Sequence, residues 1–66
     1  MTFNELMAEL DYWEYQEMRL KKQRHALVAK AAWSADDEIL ADWIDRALTE
    51  NAESKALCYE ALQEFD

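Results

Sequence analysis

Glycine and proline are both absent from the 66 residues, so nothing in the chain must interrupt a helix and no glycine-rich loop can cradle a phosphate. Cysteine occurs once, at Cys58, which excludes an internal disulfide. With His25 as the lone histidine, a structural zinc site cannot be assembled from thiolate and imidazole ligands. No segment near Met1 reads as a basic region followed by an apolar run. No stretch approaches the roughly 20 apolar residues that a membrane span needs. The expectation is a soluble, cytoplasmic chain without a membrane partner and without a cofactor. A domain this short buries only about 60% of the surface its unfolded chain exposes. With disulfide and metal staples excluded, self-association is the remaining source of stability.

What the chain does have is apolar periodicity. Thr2 and Glu5 stand in capping-box spacing. Beyond them a seam steps by three and four through Phe3, Leu6, Leu10, Trp13, Glu17, Leu20, Arg24, Leu27 and Ala31, which predicts one helix over residues 3–33. Met7 and Val28 widen its stripe. A second start lies at Ser34, with Asp37 three residues on and Asp36 and Glu38 adding charge that favours a helix N-terminus. The steps resume through Leu40, Ile44, Ala47, Asn51, Ser54, Cys58, Ala61 and Phe65, flanked by Trp43, Leu48, Leu57 and Leu62. This predicts a second helix over 36–65 after a turn at 34–35. Asn51 is an alternative cap, which would split that helix and give three.

The fold class is all-α, a single antiparallel helical hairpin. A turn at Ser34 and Ala35 sets residues whose numbers sum to about 69 side by side. Glu17 then falls near Asn51 and Ala52, and Glu14 opposite Lys55, so both seams turn polar at one level. One hairpin leaves broad stripes half covered, and two copies forming a four-helix bundle would cover them. Small residues at Ala47, Ser54 and Ala61 alternate with Ile44, Cys58 and Phe65, as interdigitating layers require. Asn51 fits a buried polar residue that sets register or oligomer number; a frayed or kinked helix is the competing account.

The net charge of −8 is uneven. Acids and bases balance from Met1 to Trp33, and ten acids face only Arg46 and Lys55 thereafter. Such a chain is repelled by phosphate backbones, which argues against nucleic acid and for a basic protein partner, or for none. Away from the seam, helix 1 carries Tyr12, Tyr15, Arg19, Lys22, Ala26, Ala29 and Trp33. Tyrosine, tryptophan and arginine concentrate in binding hot spots, so Tyr12, Tyr15, Arg19, Lys22 and Trp33 are the candidate partner-binding residues. The same row could equally be the dimer interface. Helix 2 carries an acidic ridge of Glu38, Asp42, Asp45, Glu53, Glu60 and Glu64. Six charges over about 39 Å are too sparse to imitate DNA, which favours a solvated face.

The basic cluster of Arg19, Lys21, Lys22, Arg24 and His25 is expected to spend Lys21 and Arg24 on ion pairs with Glu14 and Glu17 within the helix. No serine, cysteine or acid is placed to make His25 part of a catalytic pair, and Cys58 reads as a small core residue. Enzymatic activity is therefore not expected. In length, in the acidic turn Ser34, Ala35, Asp36 and Asp37, and in its small seam residues, the chain resembles the Rop family of plasmid copy-number regulators. That resemblance implies a dimeric bundle without catalysis; it includes no specific motif and assigns no functional residue. In type the chain also resembles accessory proteins of phages and mobile elements. The expected function is regulation or inhibition of a host or phage protein by direct contact. The alternatives are Rop-like RNA binding through Tyr12, Tyr15, Arg19, Lys22 and Lys30, and an assembly chaperone or scaffold.

Overall fold

The computed structural model describes residues 2–65. Two helices, α1 (Phe3–Val28) and α2 (Ala35–Gln63), pack against each other in a rod with extents of 49 × 14 × 14 Å. Both predicted start signals are realised, with different completeness. At Ser34 the box is closed in both directions: the Ser34 hydroxyl oxygen accepts from the Asp37 amide at 3.2 Å, and the Asp37 carboxylate accepts from the Ser34 amide at 3.0 Å. At Thr2 the hydroxyl oxygen accepts from the Glu5 amide, but the Glu5 carboxylate accepts from the Thr2 hydroxyl and not from its backbone amide. Asn51 lies inside an unbroken α2, so the three-helix alternative falls.

The first helix stops five residues before Trp33, and the connection spans residues 29–34 rather than 34–35. Alanine-rich sequence favours helix here, but the chain must reverse, and three contacts hold it outside the helix. Lys30 donates from its backbone to the Leu27 carbonyl at 3.0 Å. The Trp33 indole donates to that same carbonyl at 2.7 Å, using the carbonyl's second lone pair at the helix C-terminus. The Lys30 ammonium meets the Asp37 carboxylate at 2.9 Å.

The core comprises two clusters. Leu20, Leu27 and Ile44 pack with Ala41, Ala47 and Leu48 near the connection. Leu6, Leu10 and Cys58 pack with Trp13, Ala61 and Leu62 near the open end, which Phe3 and Phe65 close by an edge-on contact at 5.9 Å. Between them lies a polar level, as the coincident interruptions predict. Asn51, 1% exposed, donates to the Trp13 backbone carbonyl at 2.7 Å, while its own side-chain oxygen and the Trp13 indole nitrogen are buried with no protein hydrogen-bond partner.

The partners at that level differ from those expected. Lys55 pairs with Glu17 at 3.1 Å, not with Glu14. Glu14 instead accepts from the Tyr59 hydroxyl at 3.3 Å. Arg24 crosses to Asp45 at 2.8 Å and makes no bond to Glu14 or Glu17; only Lys21 pairs within α1, with Glu17. A helix crossing displaces facing side chains by up to a turn about the mean register, so the mean sum of 69 holds while individual pairs scatter around it.

Candidate functional site

Tyr12, Tyr15, Arg19 and Lys22 stand exposed on α1, on the side turned away from Leu6, Leu10, Leu20 and Leu27. The Arg19 guanidinium lies 5.9 Å from the Tyr15 ring centroid, one turn along the helix, where a cation and an aromatic face attract. Tyr12 packs edge-on against Trp13 at 5.1 Å. Trp33 does not join this row. It lies beyond the end of α1, and its indole is engaged with the Leu27 carbonyl, so its place is explained by closing the connection. The row of five is thus a row of four.

All six ridge acids, Glu38, Asp42, Asp45, Glu53, Glu60 and Glu64, are exposed on α2, and they are not one uniform surface. Asp45 is held by Arg24 across the hairpin and Asp42 by Arg46 along its own helix. Glu38, Asp42 and Asp45 line a groove with Arg24 and Trp33 near the connection. Glu53, Glu60 and Glu64 continue towards the open end.

Ion pairs shift the groups that carry them. Hydrogen bonds from Lys55 and then Lys21 hold the Glu17 carboxyl below the usual range, and Glu17 in turn raises Lys55. Lys30, with the Ser34 amide, lowers Asp37. Burial pushes the Cys58 thiol up, which disfavours the reactive thiolate. His25 is exposed and lines a groove with Lys21, Arg24 and Asp45. Among the described residues no group of three or more histidines, cysteines or acids converges as a metal site.

The α2 stripe is half covered, as its breadth predicts: Trp43 and Leu57, two of the positions that broaden it, are 57% and 65% exposed, and Ile39, to which the sequence reading gives no role, is 69% exposed. Leu48 and Leu62, assigned the same broadening role, pack against the two clusters. The signal was available in the phase: Ile39, Trp43 and Leu57 lie on one side of the Ile44, Asn51 and Cys58 line, and Leu48 and Leu62 on the other. A seam of two helices covers only one such side.

No family model matches the chain, and no curated protein or solved structure shows significant similarity to it.

Proposed function

We propose that this chain is a non-enzymatic binding protein that regulates or inhibits another protein by direct contact through α1. The observation that carries the reading is the row of Tyr12, Tyr15, Arg19 and Lys22, exposed on the helix face that the hairpin does not use. Arg19 held over Tyr15 offers a pre-ordered aromatic and cationic anchor, which lowers the ordering cost of binding. The matching class is a host or phage protein whose surface is basic overall, as the net charge of −8 favours, with a local acidic groove that accepts the aromatic and cationic row.

Rop-like RNA binding draws on the same row and ranks second, because Lys21, Arg24 and Lys30 are occupied by Glu17, Asp45 and Asp37. Few cations are left for phosphates. The test compares capture by the wild-type chain and by the Tyr15→Ala/Arg19→Ala variant from a bacterial lysate. A protein retained by the first and lost from the second, with helicity unchanged, is the expected result. No variant-sensitive protein, together with salt-steep binding to structured RNA, would replace this reading with the second.

A further inference from the structure

The two flanks of the hairpin differ in charge. One holds the ion pairs of Glu17 with Lys55 and Arg24 with Asp45. On the other, α2 presents Ile39, Trp43 and Leu57 with the small Ala47, Ser54 and Ala61 beside them, and Glu50 at the centre of the line. The α1 edge of this flank offers Gln16, Arg19 and Gln23, which line a shallow groove with Leu20 and Trp43.

Surface area indicates how large a cover is missing. A compact monomer of 7.8 kDa exposes about 4,400 Å², whereas this chain exposes 5193 Å². The excess of about 800 Å² is what one partner gives up in a standard specific interface. The radius of gyration, 15.2 Å, exceeds the roughly 11 Å of a 66-residue domain and lies near the roughly 14 Å of one twice that length.

The pattern also has a centre. Trp43 lies seven residues before Glu50 and Leu57 seven after; Ile39 lies eleven before and Ala61 eleven after. An antiparallel pair of α2 helices related by a two-fold axis at Glu50 brings each residue opposite the one whose number completes 100. Trp43 then meets Leu57, and Ile39 fills the space over Ala61. The level of Glu50 corresponds on α1 to residue 19, through the register that joins Arg24 to Asp45. Gln16 and Gln23 straddle that level, so each would face the other across the same axis. The Glu50 carboxylates approach each other there, and Arg46, one turn away and 79% exposed in its side chain, falls beside the facing Glu50 and Glu53. An isologous contact sets each patch against itself, and on this flank Arg46 offsets the facing Glu50 and Glu53 of a chain whose net charge is −8.

We infer that a second copy of this chain covers the Ile39, Trp43 and Leu57 flank, α2 antiparallel to α2 about an axis at Glu50, completing a four-helix bundle. The inference does not rest on the contact-regulator reading: Arg19 borders both surfaces, but Tyr15 lies outside this flank, so Tyr15→Ala alone removes the anchor proposed there and leaves this interface in place. Sedimentation equilibrium of the full chain is expected to give twice 7.8 kDa. Trp43→Glu should raise the dissociation constant about a hundredfold while keeping the helical spectrum. Because that variant could also disturb folding, cysteine pairing supplies the second measurement. With diamide as oxidant, Glu50→Cys should form an interchain disulfide, and Glu60→Cys on the outward ridge should not. A wild-type mass of 7.8 kDa up to roughly 1 mM, a dimeric Trp43→Glu, or crosslinking as fast at position 60 as at position 50, would overturn it.

Discussion

Near the connection, Ile44 is fully enclosed by Leu20, Leu27 and their alanine neighbours, and the reversal beside it is bound by the Ser34 box, the Trp33 indole and the Lys30 pair. Near the open end, Leu6, Leu10 and Cys58 make a similar cluster, and beyond it, among the described residues, Phe3 meets Phe65, just past α2, edge-on. Similar apolar content is thus held by chain connection and several polar contacts at one end, and at the other by packing and the single hydrogen bond from Tyr59 to Glu14. Asn51, Glu17 and Lys55 tie the halves into one register, because sliding either helix by a turn would bury a charge against leucine.

That contrast can be broken most severely at Ile44. Ile44→Ala should cost about 3–5 kcal/mol, enough to unfold a chain this small, and circular dichroism at a fixed chain concentration reads it as loss of the cooperative melt. Leu10→Ala, in the packing-held half, should cost about 2–4 kcal/mol and fray the open end first. Amide exchange should accelerate around Leu6 and Cys58 while protection near Ile44 persists; uniform acceleration would show that the two clusters are one unit.

Asn51→Leu addresses the level between them. Its side-chain oxygen is buried without a partner, so leucine should stabilise the hairpin by about 1 kcal/mol, raising the urea midpoint while loosening register. A lowered midpoint would show that the bond to the Trp13 carbonyl outweighs the orphaned oxygen. At the connection, Ser34→Ala removes the cap that starts α2 and should cost about 1 kcal/mol.

Acid provides the mildest lever. Glu17 and Asp37 titrate below their ordinary values in the folded chain, so the unfolded chain takes up these protons first. Their contribution is fully present above the ordinary carboxylate range and is lost as pH falls through the folded values. Lys55, raised by Glu17, contributes below the ordinary lysine range and stops contributing as pH climbs through its raised value. Urea midpoints should therefore decline on the acid side, and Glu17→Gln should flatten that decline.

Much of this was legible in the residues themselves. Both helix starts follow from Thr2 with Glu5 and Ser34 with Asp37, since a cap is a local hydrogen bond between residues three apart. The antiparallel pairing follows from polar interruptions falling at one level. The outward placement of the row was legible for four of its five members, because helical phase alone places Tyr12, Tyr15, Arg19 and Lys22 opposite the leucines.

The rest depended on distance in space. The alanine-rich stretch before Trp33 carries no local stop signal, so the end of α1 was decided by the reversal and by the indole that bonds back to Leu27. Lys55 and Arg24 took Glu17 and Asp45 because helix crossing, which no periodicity encodes, shifts facing side chains along their axes. The same crossing decided which apolar positions beside the α2 seam became core and which were left open: Leu48 and Leu62 turned towards α1, and Ile39, Trp43 and Leu57 away from it. Periodicity specifies a helix face, and only the position of a neighbouring helix determines which edge of that face is covered.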